Sequence, residues 1–178
     1  MAEWFRRKSK NIKTFSKRDT EEGTWIKCPK CTTVLYHKQL ERNNHVCTSC
    51  SHHFRMGSEH YLRLLFADDP IEEIGENIVP ADPLEFNASK SYQDQVKLST
   101  EKTGLTEAVK AVKGSLNGLA VVICIMDFSF IGGSMGSVVG ERISRAIDAA
   151  RRENRSLVIF TSSGGARMQE GALCLMQM

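Results

Sequence analysis

No uninterrupted apolar run in this 178-residue chain exceeds eight residues, Leu119 to Met126, so no segment is long enough to span a bilayer. The basic residues near the start (Arg6, Arg7, Lys8, Lys10) have no apolar stretch after them, which excludes a secretory signal. Neither G-x-x-x-x-G-K-[ST] nor G-x-G-x-x-G occurs, so nucleotide binding by those known loops is disfavoured. No Ser-His-Asp or Cys-His arrangement offers an activated nucleophile, and there is no low-complexity tract. Hydrophobic content of 41% and charge of 25% are ordinary for a soluble protein, and the length fits one domain or a small one followed by a larger one.

The net charge of +3 conceals an asymmetry: residues 1–60 carry twelve Lys or Arg against six Asp or Glu, and residues 61–178 carry twelve against fifteen. The basic leader, 1–23, reads as a solvated, disordered tail; contact with nucleic acid or an acidic protein surface is the alternative. With no export signal, six cysteines fit a reducing cytoplasm, where paired cysteines more often bind metal than form disulfides.

Cys28-Pro29-Lys30-Cys31 and Cys47-Thr48-Ser49-Cys50 form a C-x2-C-x15-C-x2-C pattern. Each knuckle offers two thiolates, and two knuckles close a tetrahedron around Zn²⁺ with no position left for water, so the metal is structural. The segments 33–36 and 43–46 between them read as short strands with turns, and 24–57 as a zinc ribbon that needs its metal to fold. A redox dithiol and a pair of disulfides are the rival readings. His37, His45, His52 and His53 are expected on the surface or in packing, and Cys124 and Cys174 as small buried apolar residues.

Helices are expected at 59–66 and 89–102, a linker or edge at 71–88, and a hairpin over 108–126 turning at Asn117-Gly118. Leu119 to Met126 reads as a buried strand that passes through Gly132-Gly133-Ser134-Met135-Gly136 into a helix over 137–154. There Ile143, Ala146, Ile147 and Ala150 share one face. A second strand ends at Thr161-Ser162-Ser163-Gly164-Gly165, followed by helical spacing of Met168, Ala172, Leu175 and Met176. Successive β-α-β units bring both glycine loops to the carboxyl edge of a parallel sheet, where ligands bind. Unpaired amides at a helix start after Gly164-Gly165 would favour an anion, including an oxygen that gains charge in a transition state. A packing turn, in which glycine lets helix and strand approach closely, is an equal reading of this loop. The last helix reaches Met178 with its apolar face still running, so the main domain is expected to continue.

With these runs in place, the chain resembles the β subunit of the bacterial and plastid type of acetyl-CoA carboxylase carboxyltransferase. The four-cysteine ribbon, the run from Asp127 through Gly132-Gly133-Ser134-Met135-Gly136 to Glu141, and Ser162-Ser163-Gly164-Gly165-Ala166-Arg167-Met168-Gln169-Glu170 carry the resemblance from about Thr24 onward. Members of that family continue well beyond this length, which implies a chain shortened at its C-terminus. The resemblance implies an α/β fold: the ribbon, then a partial crotonase-like (ClpP/crotonase) β-β-α core over 58–178. It implies transfer of the carboxyl group of carboxybiotin to acetyl-CoA, giving malonyl-CoA for fatty-acid synthesis. The substrate itself supplies much of the acid–base capacity, since the ureido anion left on biotin takes the acetyl proton and the enolate attacks CO₂. On that reading the Gly164 and Gly165 amides hold one oxyanion, while Gly132, Gly133 and Gly136 shape the facing wall and the thioester approach. Arg167, Gln169 and Glu170 match the family, with roles that spacing does not define.

The implied partners are a carboxyltransferase α subunit (as α2β2), a biotin carboxyl carrier protein and biotin carboxylase, which uses the complex's ATP. The implied compartment is the cytoplasm, and a shortened chain is expected to be inactive alone. A nucleic-acid-binding or regulatory zinc module, and a carboxyltransferase for another acyl-CoA, are the alternatives.

Overall fold

The computed structural model describes residues 24–67 and 69–177, so the leader at 1–23 lies outside the described residues. Internal contacts divide the chain between Arg55 and Met56.

In the first unit, β1 (Trp25–Lys27) pairs antiparallel with β2 (Val34–Tyr36), with Ile26 opposite Leu35. A short helix, α1 (His37–Arg42), follows directly and buries Leu40. Residues 43–46, expected as a strand, form a turn instead. Asn44 and His45 sit at φ of 50° and 57°, a left-handed geometry that Asn tolerates and a strand cannot contain, and only Val46 makes a bridge, to His53. The buried centre is Cys28, Leu35, Leu40 and Cys47, flanked by Ile26 and Phe54. So small an apolar cluster cannot by itself offset the entropy of ordering the unit, which is why a metal is needed.

The second unit begins with α2 (Ser58–Phe66) and the two-residue strand β3 (Glu72–Glu73). Helix α3 (Tyr92–Thr103) is capped by the Ser91 hydroxyl, which accepts from the Asp94 amide, and stops at Gly104 with φ 73°. Strands β4 (Val109–Leu116) and β5 (Leu119–Met126) form the expected hairpin. Asn117 and Gly118, at φ 50° and 82°, supply the two positive φ values that its tight turn requires. Helix α4 (Ser137–Arg152) then crosses to β6 (Ser156–Phe160), which pairs parallel to β5 from Val121↔Ser156 to Ile125↔Phe160. The sheet order is β3-β4-β5-β6.

Strand β5 is apolar on both faces because both are covered. Val122, Cys124 and Met126 pack with Val139, Ala146 and Ala150 of α4, and Val121, Ile123 and Ile125 pack with Leu62 and Phe66 of α2.

The end of the chain departs from expectation. The continuous helix read from the spacing of Met168, Ala172, Leu175 and Met176 is a 3₁₀ turn over Met168–Glu170 and a four-residue helix, α5 (Leu173–Met176). Gly171, at φ 54° and ψ −133°, separates them. That conformation is closed to helix, so no macrodipole builds up after Gly164-Gly165.

Where β5 ends, the Asp127 carboxylate ties the sheet edge to α2. It accepts from the Ser58 amide (2.6 Å) and hydroxyl (2.8 Å), and from the Ser129 amide (2.9 Å) and hydroxyl (2.6 Å). Burial pushes its pKa up, but the bonds from Ser129 and Ser58 outweigh it and hold the carboxyl below its ordinary value. The stability it provides is therefore full above the unfolded pKa of about 4 and is lost as pH falls through the lower folded one. Asp127→Asn is expected to cost about 1–3 kcal/mol at pH 7 by urea denaturation, with the difference from wild type shrinking below about pH 4. Equal stability at neutral pH would contradict this tie.

Candidate active site and metal centre

In the ribbon, the Sγ atoms of Cys28, Cys31, Cys47 and Cys50 all lie within 4.8 Å of one another. Two of the pairs, Cys28–Cys50 and Cys31–Cys47, are 3.6 and 3.7 Å apart. A Zn–S bond of about 2.3 Å in a tetrahedron puts sulfurs about 3.8 Å apart, so the donor set fits Zn²⁺. All four cysteines are free rather than bridged, and among the described residues no histidine joins the cluster. The second unit's cysteines, Cys124 and Cys174, are buried, and burial pushes the Cys124 thiol up to about 11.

The two glycine loops meet at the carboxyl ends of β5 and β6, as the β-α-β reading requires. Three backbone bonds stitch them: the Gly164 amide donates to Gly132 O (3.0 Å), the Met135 amide to Gly165 O (2.8 Å) and the Arg167 amide to Met135 O (2.9 Å). Gly164 is one of the two glycines whose amides are expected as oxyanion donors. Its N–H is spent within the protein, because the loops run side by side and pair as a short ladder. The Gly165 amide is also occupied, by Ser163 Oγ at 3.0 Å. Ser163 is exposed, so that partner is a rotatable hydroxyl rather than a fixed carbonyl.

The glycines fall into two groups by what a side chain would meet. A Cβ on Gly133 would lie 2.5 Å from Ser162 O, one on Gly136 would lie 2.5 Å from Glu170 Oε1, and one on Gly164 would lie 2.9 Å from Gly132 O. Gly133 and Gly136, both expected in the thioester wall, are buried: Gly133 lies against the backbone of the second loop and Gly136 against the Glu170 and Arg167 side chains. Gly132 (φ 65°) and Gly165 (φ 121°) have nothing within 4 Å of a Cβ position. Of the five expected site glycines, these two face open space.

Beneath the loops lies a charged cluster whose full membership could not be read from spacing. Arg167, Glu107, Glu170 and Tyr92 are each at most 1% exposed. Arg167 Nη1 donates to Glu107 Oε2 (2.8 Å) and the Tyr92 hydroxyl (3.1 Å). Its Nη2 donates to Glu107 Oε1 and to Ser134 O (2.7 Å), and its Nε donates to Ser134 Oγ (3.1 Å). Tyr92 Oη donates to Glu170 Oε1 (2.7 Å), and the Ser137 amide, in the first turn of α4, donates to Glu170 Oε2 (2.6 Å). Burial works against the Arg167 charge, but the Glu107 carboxylate outweighs it and holds the guanidinium above its ordinary pKa. Burial also raises the Tyr92 phenol, against the pull of Arg167. Tyr92 and Glu107 were missed; the one available signal was a glutamate set directly against the buried run that opens β4.

Residues 81–178 match the carboxyl transferase domain, and residues 25–50 match the acetyl-CoA carboxylase zinc finger domain. The chain belongs to the carboxyl transferase family. It is 49% identical over 175 residues to the acetyl-coenzyme A carboxylase carboxyl transferase subunit beta of Chlorobaculum parvum, and 47% identical to that of Chlorobium chlorochromatii. Both matches take in 98% of this chain and 63% of the relative, so the chain spans under two thirds of their length. The crystal structure of transcarboxylase 12S superposes with a TM-score of 0.55 at 22% identity, covering 69% of this chain and 22% of that one. That likeness bears on fold: the second unit has the α/β architecture of the crotonase-fold carboxyltransferases, as expected.

Two outcomes follow for this family member. Elemental analysis should give about one zinc per chain, with Cys28→Ser losing the metal; zinc retained in the variant would contradict the four-thiolate centre. Gly136→Ala should lower stability by about 1–3 kcal/mol in urea denaturation, because Glu170 has nowhere to go; an unchanged midpoint would contradict the packing role.

Proposed function

We propose that this chain contributes the β-subunit half-site of acetyl-CoA carboxylase carboxyltransferase, moving the carboxyl group of carboxybiotin to acetyl-CoA to give malonyl-CoA. The observation that carries this reading is the pairing of ribbon and carboxyl transferase domain in one chain, at 49% identity to a subunit of that name. Acetyl-CoA is the substrate, biotin arrives on a carrier protein, and a carboxyltransferase α subunit completes the site. The compartment is the cytoplasm, where four reduced thiols can hold zinc.

The local chemistry supports a site that stabilises charge rather than one that supplies a base. Asp127 accepts four bonds, and the Glu107 and Glu170 carboxylates are consumed by the cluster under the loops. The proton from the acetyl methyl group therefore goes to the cosubstrate. The enolate oxygen is assigned to the Gly165 amide, which becomes available when the Ser163 hydroxyl rotates aside. Gly132 forms the opposite wall, and its lack of a side chain leaves room for the thioester. One preorganised donor of this type is worth roughly 2.7–4 kcal/mol of barrier.

The test is malonyl-CoA formation by the chain extended to its relatives' length and mixed with the α subunit. Wild type should turn over acetyl-CoA, and Gly165→Val should lose about 100-fold or more in kcat. No malonyl-CoA from a zinc-loaded, α-bound protein would overturn the reaction, and full activity in Gly165→Val would overturn the donor.

A further inference from the structure

The buried cluster has properties that stability alone does not require. Arg167 and Glu107 have no exposed side-chain surface, and a buried ion pair can often be replaced by apolar residues of similar volume without loss of stability. The five N–H groups of Arg167 make five hydrogen bonds, so no donor remains for a substrate carboxylate or phosphate. This arginine therefore cannot act by touching a ligand. Its bonds have a common destination instead. Arg167 lies on the second glycine loop, and it grips the first at both the carbonyl and the hydroxyl of Ser134. Three residues on, Glu170 holds the first turn of α4 through the Ser137 amide. Tyr92, from α3, links the two side chains, its hydroxyl accepting from Arg167 and donating to Glu170. Gly165 hangs between these anchors, bonded to Met135, the residue after Ser134.

We propose that Arg167, with Glu107, Tyr92 and Glu170, is a positioning device that fixes the spacing of the two glycine loops and thereby aims the Gly165 amide. The assignment rests on the carboxyl-transfer reading for its kinetic consequence, but the loop spacing stands independently of it. At the amino end of α4, Glu170 takes the Ser137 amide. The arrangement explains why Gly136 carries no side chain, since a Cβ there would collide with both Glu170 and Arg167.

The experiment uses the chain extended to its relatives' length, bound to the α subunit, in three forms: wild type, Tyr92→Phe, and the paired exchange Arg167→Met with Glu107→Leu. The paired exchange keeps the volume and removes both charges together, so neither is left buried alone. Two readouts are taken, carboxyl transfer per folded site and amide hydrogen exchange at Met135, Gly164 and Arg167. Positioning predicts that kcat falls roughly 10- to 100-fold in the paired exchange while KM for acetyl-CoA changes less than about 3-fold. It also predicts exchange at those three amides at least about 10-fold faster, with a smaller effect in the same direction for Tyr92→Phe. Wild-type kcat and protection in a folded paired exchange would overturn the proposal. If the paired exchange does not fold, Tyr92→Phe decides: unchanged kcat and unchanged exchange overturn it. A wild type that transfers no carboxyl group overturns the proposed reaction alone, and amide exchange still decides the positioning.

Discussion

Three backbone hydrogen bonds between the loop after β5 and the loop after β6 hold together the carboxyl edge of the sheet. They extend the parallel pairing of β5 and β6 past the sheet, through the Met135–Ala166 bridge, into segments that would otherwise be unsupported loops. Side chains cannot fit where two backbones approach this closely, so Gly133 and Gly164 follow from the stitch, while a Cβ on Gly136 would meet the buried Glu170 and Arg167 side chains. The buried charges follow from it too: with the loops locked together, Arg167 finds Ser134 and Glu170 finds Ser137 at hydrogen-bond distance. Desolvating so many charged groups is costly, and the cost is met because each charge has its partners.

The features legible in the sequence are those that one local rule determines. The thiolate knuckles are set by spacing, and the hairpin by Asn117-Gly118. Strand β5 is marked by an unbroken apolar run, and α4 by its amphipathic period, which correctly places Ala146 and Ala150 in the core. What could not be read depends on distant neighbours. Whether Gly133 faces a ligand or Ser162 is a question about residues some thirty positions apart, and periodicity does not reach that far. Tyr92 and Glu107 join Arg167 from separate elements. The reading of 168–176 as one helix failed for a different reason: its apolar spacing was correct, but Gly171 sits in a conformation that no helix accommodates.

Of two amides expected as donors, the Gly164 amide is committed to a carbonyl and the Gly165 amide to an exposed hydroxyl that can turn away. Of the five expected site glycines, Gly132 and Gly165 have nothing within 4 Å of a Cβ position. Among the described residues, the buried carboxylates of Glu107, Asp127 and Glu170 all have hydrogen-bond partners.

The account rests on the Gly165 amide meeting a developing negative charge. A crystal structure of the assembled carboxyltransferase with an enolate mimic of acetyl-CoA tests it directly. The account predicts the mimic's oxygen about 2.7–3.1 Å from the Gly165 nitrogen, with Ser163 rotated away and Gly164 still bonded to Gly132. An oxygen bound elsewhere, with the Gly165 amide still on Ser163, would contradict it.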